Sequence, residues 1–295
     1  MRSERVQRIA LATDFSTRSD RALRRSILLA RQFSAEIVLV HAVDDDQPPR
    51  LVAAEQGAAD VLLSELAATL RSVDGVDCET RVVLGEPFQA IAEAAERVNS
   101  DILVMGPHRR QALRDVFIGT TVERTIRESR RPVIMANALP AGRYDRVLIA
   151  TDLSECSERA LMEAGRLGLL DCVETLVFHA YDAPARSMMG RAAMTADELN
   201  DYIADEEDRA GNELSEFLQR VDLLPSQRFI ELIEAPVYEM VRECVRKQKV
   251  DLIVMGTHGR TGASKFFLGS VAEEVLRYSD VDVLIVPSDS GAIPE

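Results

Sequence analysis

The chain repeats itself, and the repeat limits what it can fold into. "RIALATDFS" at Arg8–Ser16 returns as "RVLIATDLS" at Arg146–Ser154, and "EIVLVHAV" around His41 returns as "ETLVFHAY" around His179, both displaced by 138 residues. "SDILVMGPH" with Gly106 then matches "VDLIVMGTH" with Gly256, and "FIGTTVERTIRES" with Gly119 matches "FLGSVAEEVLRYS" with Gly269, now displaced by 150. The second copy has therefore gained 12 residues between its second and fourth strands. Two domains are expected, 1–140 and 141–295, meeting near "NALPAGRYD", whose Pro and Gly suit a junction.

Within each half, apolar β-branched runs of five to eight residues alternate with helical patterns. In the first half the runs predict strands over Ile9–Thr13, Ile37–Val43, Thr80–Leu84, Ile102–Met105 and Val133–Ala136. Helices are predicted over Ser19–Phe33, Glu55–Arg71, Pro87–Val98 and Thr120–Glu128. Strands apolar on both faces and separated by helices require a parallel sheet covered on both sides, so each half reads as a doubly wound α/β domain. In that fold a ligand lies where the strand order reverses, beyond the carboxyl ends of the strands. If the first and fourth strands flank the reversal, Asp14 faces the Gly106 loop and Asp152 faces the Gly256 loop.

The second of these crevices carries the stretch "MGTHGRTGASKFFLGS", Met255–Ser270. Gly256 ends a strand, Gly259 lets backbone approach an anion, and Gly269 with Ser270 opens a helix whose first amides have no intrahelical partner. Together they make a seat for a di- or triphosphate, to which Arg260 or Lys265 could add charge. Neither GxxxxGK[ST] nor a GxGxxG after the first strand is present, which excludes the P-loop and the dinucleotide fingerprint. Asp152 has two compatible readings: it caps the following helix with help from Ser154, or it accepts a nucleoside hydroxyl. Asp14 and Ser16 repeat the arrangement, where capping is the expected role.

Charge and composition remove other classes. Residues 1–140 hold 19 Arg against 20 acidic residues, and 141–295 hold 16 Lys/Arg against 29, with much of the excess in the acidic helical stretch Asp197–Glu216. Neither half offers the basic stripe a nucleic-acid surface needs. The N-terminal apolar run ends within about six residues at Asp14, too short for a signal peptide or a membrane span, so a cytoplasmic location is expected. Cys78, Cys156, Cys172 and Cys244 include no CxxC pair and read as dispersed buried thiols. The four histidines also repeat, His41 with His179 and His108 with His258, but two imidazoles and one carboxylate from separated strands lack metal-ligand spacing. Crevice lining or backbone hydrogen bonding is the expectation for them.

With the repeat, the "ATDLS" strand end and the pattern Gly-x2-Gly-x9-Gly-[Ser/Thr] in place, the chain resembles a tandem universal stress protein over nearly its whole length. The resemblance implies five-stranded, mostly parallel sheets of order 3-2-1-4-5 and, in the second domain, an ATP or ADP site with or without Mg2+. It carries Asp152 into the nucleoside contact and Gly256, Gly259, Gly269 and Ser270 into the phosphate seat. Ala180 stands at the position that lines the adenine pocket, where the family usually has Val. In the first half Arg109 stands in Gly259's place and Pro107 removes an amide, while Gly106, Gly119 and Thr120 are kept. That domain is expected to be a structural partner without nucleotide.

Single-domain relatives pair their last strands, which implies an intrachain pseudo-dimer through "RPVIMAN" and "VDVLIVP", with further homodimerisation open. Function follows as one of three readings. The first is an ATP-binding stress-response regulator whose nucleotide-dependent surface meets a protein partner. The second is a nucleotide-free structural or chaperone-like adaptor. The third is at most a slow ATP hydrolase, for which the sequence displays no clear general base. Met188, Met189 and Met194 in the added segment suit a lid, a partner-binding patch or the docking of a long helix.

Overall fold

The computed structural model describes residues 5–107, 121–186, 195–259 and 268–288. In the first half β1 (Arg8–Ala12), β2 (Glu36–Val43), β3 (Cys78–Leu84), β4 (Ile102–Met105) and β5 (Val133–Met135) alternate with α1 (Ser19–Phe33), α2 (Pro49–Thr69), α3 (Pro87–Arg97) and α4 (Thr121–Glu128). The second half repeats this with β6 (Arg146–Ala150), α5 (Glu155–Arg166), β7 (Glu174–Tyr181), α6 (Ala196–Arg220), β8 (Gln227–Leu232), α7 (Val237–Gln248), β9 (Leu252–Gly256), α8 (Ser270–Tyr278) and β10 (Asp282–Val286).

Helix α2 begins six residues before the periodicity suggests. Pro48 and Pro49 read as a break, yet proline at the first helical turn surrenders only an amide that would have no partner. A π-helical turn at Leu70–Asp74 prolongs α2 until Gly75, in left-handed backbone, ends it. Helix α6 is the acidic segment of the sequence; Thr195 and Glu198 close a reciprocal capping box at its start.

Each half has the strand order 3-2-1-4-5, but the two sheets are not separate. Strands β5 and β10 pair antiparallel, Met135 opposite Val283 and Val133 opposite Ile285, giving ten strands in the order β3-β2-β1-β4-β5-β10-β9-β6-β7-β8. The physical reason is that β5 and β10 are fully buried apolar strands whose outer edges would otherwise present unpaired amides and carbonyls. Helices α1, α2, α5 and α6 cover one face of this sheet and α3, α4, α7 and α8 the other, and both apolar cores run across the seam.

A buried polar cluster locks the seam. Arg25 of α1 donates through Nε to Asp282 Oδ2 at 2.7 Å, and Tyr144 donates its hydroxyl to the same oxygen at 2.8 Å. Asp282 Oδ1 accepts the Ala138 amide at 3.0 Å, and Arg25 Nη1 reaches the Gly142 carbonyl at 2.9 Å. The guanidinium lies 3.9 Å from the centre of the Tyr144 ring. Burial first, and then the charge of Asp282, push the Tyr144 hydroxyl far above its ordinary pKa and keep it a donor. Asp282 is 0% exposed and Arg25 3%, so each charge depends on the other.

Cys78, Cys156 and Cys244 are buried, and burial pushes the Cys78 and Cys244 thiols up to about 11. Cys172 departs from the expectation of buried thiols: it is exposed, in left-handed backbone in the turn between α5 and β7.

Removing one partner of the buried pair leaves the other charge uncompensated. Asp282→Ala is expected to cost about 3–5 kcal/mol, and Tyr144→Phe about 1–3 kcal/mol, in urea unfolding at pH 7. A loss under about 1 kcal/mol for Asp282→Ala would show that the cluster does not hold the seam.

Candidate functional site

The site grows from the carboxyl end of β6, where the chain turns into α5. Leu153 takes left-handed backbone (φ 66°) so that Asp152 and Ser154 bracket the turn. Ser154 is the N-cap of α5, accepting the Ser157 amide. Asp152 Oδ1 in turn accepts the Ser154 amide at 3.1 Å, the Ser154 hydroxyl at 2.6 Å and the Ser157 hydroxyl at 2.7 Å. The carboxylate therefore splits its work: Oδ1 is used by the cap, while Oδ2 faces Gly259 across the crevice, 2.7 Å from where a Cβ on that glycine would stand. The three hydrogen bonds on Oδ1 are those of the capping reading of Asp152.

A cavity of about 300 Å³ brings Asp152, Ala180, Gly256, Gly259, Gly269 and Ser270 together. Its wall on the β7–β8 side is apolar, from Phe178, Ala180 and Ile233, continued by Val237 and Val241 of α7. On the β9 side it is glycine and backbone. Gly269 is the N-cap of α8 and, having no side chain, offers no cap of its own to the first-turn amides; its own amide donates to the Thr257 carbonyl at 2.7 Å. Residues 260–267 lie outside the described residues, and with them Arg260 and Lys265.

The glycines do different things. A Cβ on Gly256 would stand 2.7 Å from Cys156 Sγ and 2.9 Å from its carbonyl oxygen, so this glycine lets β9 lie against the start of α5. Gly106 has the same role in the first half, against the Arg18 carbonyl at 2.7 Å. This pair is about packing in both domains. Gly259 is the one whose missing side chain keeps the cavity open beside a carboxylate pinned by three hydrogen bonds.

His41 and His179 donate through Nδ1 to the Thr13 and Thr151 carbonyls, at 2.8 and 2.9 Å, and so tie β2 to the end of β1 and β7 to the end of β6. Among the described residues no group of three His, Cys, Asp or Glu side chains is arranged for a metal ion. His258 lines the cavity; its Nδ1 lies 2.9 Å from Thr257 Oγ1, and its buried Nε2 has no hydrogen-bond partner among the described residues. Burial lowers its pKa and favours the neutral ring. His258 lines the crevice as the sequence suggested, whereas Ser157, Phe178 and Ile233 were not identified from the sequence. Ser157 had a signal, a second hydroxyl three residues after the capping serine; the apolar residues had none beyond strand pattern.

The first half differs at described residues as well as at Arg109, which, like His108, Gly119 and Thr120, lies outside them. Arg18 occupies the position of Cys156 and reaches Asp14 Oδ2 at 3.5 Å, while Asp14 Oδ1 accepts the Ser16 amide and the Ser16 hydroxyl. The Asp14 side chain is 60% exposed and ion-paired.

These two glycines give separable expectations. Gly256→Ala forces a Cβ onto Cys156 and should lower stability by about 1–3 kcal/mol in urea unfolding. Gly259→Ala should cost less, because the atom its Cβ meets at 2.7 Å is a side-chain oxygen of Asp152 at the cavity edge, which can turn away more easily than the Cys156 backbone. Equal destabilisation by the two would refute this division.

The Universal stress protein family matches residues 5–137 and again 143–287. Universal stress protein E of Salmonella typhi is 22% identical over 296 residues, covering 92% of this chain and 91% of its own. A single-repeat relative, Universal stress protein MJ0531 of Methanocaldococcus jannaschii, is 28% identical over 139 residues, 44% of this chain and 81% of its own. The crystal structure of a universal stress protein from Archaeoglobus fulgidus superposes with a TM-score of 0.70 at 20% identity, covering 94% of this chain and 97% of that one, and shares its fold. A double match to one family, a palindromic sheet built from two 3-2-1-4-5 halves and a relative aligned along nearly the whole length place this chain in the universal stress protein family, as a tandem member.

Proposed function

We propose that the second domain, residues 141–295, binds ATP or ADP at one site per chain, and that the first, 1–140, is a nucleotide-free structural partner. The observation that carries this reading is the juxtaposition, in one cavity, of Asp152, an apolar wall, the side-chain-free Gly259 and the start of α8 at Gly269 and Ser270. The apolar wall of Phe178, Ala180 and Ile233 suits a planar base, and a carboxylate suits ribose hydroxyls, which donate. Gly259, Gly269 and Ser270, with the first-turn amides of α8, suit phosphate oxygens. A Mg2+ ion would enter with the phosphates, as that ion takes much of its coordination from substrate and water. The first domain is assigned no nucleotide because Arg18 engages the carboxylate that matches Asp152. A regulatory role follows if ATP binds two surface states of the second domain unequally.

Calorimetric titration of the full chain with ATP should show one site per chain. Gly259→Arg should weaken it at least about tenfold, or about 1.4 kcal/mol, in protein that urea unfolding shows to be folded. No heat at millimolar ATP would remove the proposal, and two equal sites per chain would remove its asymmetry.

A further inference from the structure

Helix α2 has two apolar faces. The inner one packs on the sheet through Val52, Ala59, Leu63 and Ala67, each at most 9% exposed. The outer one is open: Leu51 is 52% exposed, Val61 57% and Leu62 45%, and Ala54, Gly57 and Ala58 are exposed between them. A surface helix ordinarily carries charged residues opposite its buried face. On α2 the line opposite the core runs from Arg50 through Ala54, Gly57, Ala58 and Val61 to Glu65, apolar for two turns and closed by one charge at each end.

Those two charges find nothing within their own chain. Arg50 stands in the first turn of α2, where the helix dipole favours an acid, and among the described residues neither Arg50 nor Glu65 has an ion-pair partner. The other acids of the helix point elsewhere. Glu55 and Asp60 lie one on each flank, each about 110° round the helix from the line opposite the core, and Glu55 takes the Gln47 side-chain amide at 3.3 Å.

The second half shows the ordinary pattern. Buried Ala210, Leu214 and Leu218 of α6 match Ala59, Leu63 and Ala67 of α2, displaced by 151 residues. On that register Ala54, Gly57, Ala58 and Val61 correspond to Asp205, Asp208, Arg209 and Asn212, so the fold itself does not call for an apolar outer face. Arg50 and Glu65 correspond to Asp201 and Glu216, both acidic.

We propose that the outer face of α2 joins two copies of the chain, α2 packing antiparallel on the α2 of a second copy about a twofold axis level with Gly57 and Ala58. Arg50 and Glu65 lie equally far from that point in the sequence, so the axis sets Arg50 of each copy against Glu65 of the other, and Ala54 against Val61. The face is thus complementary to itself: an apolar contact closed at both ends by an ion pair. Nothing stands within 4 Å of where a Cβ on Gly57 would be, so the approach is clear at the crossing point. In α6 the same arrangement would set acid against acid, which confines the contact to the first half. A lipid surface is disfavoured, because α2 carries three acids against one arginine. The interface is independent of nucleotide.

The test is sedimentation equilibrium of the full chain without nucleotide, over a concentration series reaching millimolar protein. A reversible monomer–dimer equilibrium is expected. Arg50→Glu and Glu65→Arg should each weaken the dimer at least about tenfold, since each sets like charges together at both ends. An equimolar mixture of the two variants should recover it, because each then supplies the charge the other lacks. Val61→Glu should leave only monomer, and cooperative urea unfolding checks that every variant is folded. A parent chain monomeric throughout, a dimer indifferent to either reversal, or a mixture no stronger than its components would overturn the proposal. So would binding of phosphatidylcholine vesicles that Val61→Glu abolishes, which would assign the face to lipid.

Discussion

Everything in this molecule is arranged about the antiparallel contact between β5 and β10. Short as it is, three residue pairs long, it turns two sheets of five into one of ten and lets each apolar core continue through the join. Pairing the last strands leaves β3 and β8 as the outer strands of the described sheet. It also fixes direction. Strands β1 and β4 run opposite to β6 and β9, so the crevices at their carboxyl ends open on opposite edges of the sheet.

The contact looks twofold in topology and is not twofold in chemistry. Asp282 bonds Arg25 on one side of the axis; the matching residues on the other side are Pro132 and Glu163, and Glu163 turns instead to Arg166 on its own helix. A symmetric dimer must use each interface residue twice. A fused pair is released from that rule, and the same release is visible in the crevices, where Cys156 packs on Gly256 in one half and Arg18 reaches for Asp14 in the other.

Much of this was legible in the sequence, for identifiable reasons. The repeat and the apolar runs specified the strands and their order of appearance, and α1 was read to the residue because its apolar positions follow a helical period. The start of α2 was missed because proline signals a break and a helix start alike. Of the six candidate residues, Asp152 and Gly256 stand out as polar or side-chain-free ends of apolar strands and Gly259, Gly269 and Ser270 by their spacing before a helix, whereas Ala180 is named only through the family resemblance. What opposes each glycine could not be read: that Gly256 answers to Cys156 and Gly259 to Asp152 is a fact of packing between elements about a hundred residues apart.

The covalent link across the seam changes how the molecule responds to its own abundance. Two separate chains meeting through such a short contact would part on dilution, and any site shaped by the meeting would weaken as expression fell. Here the two halves are held at an effective concentration set by a linker of a few residues, including Tyr144, which is itself built into the lock. Assembly is therefore a first-order event, complete at one copy per cell as at a thousand. The pairing of the two halves is then independent of how much of the protein has been made.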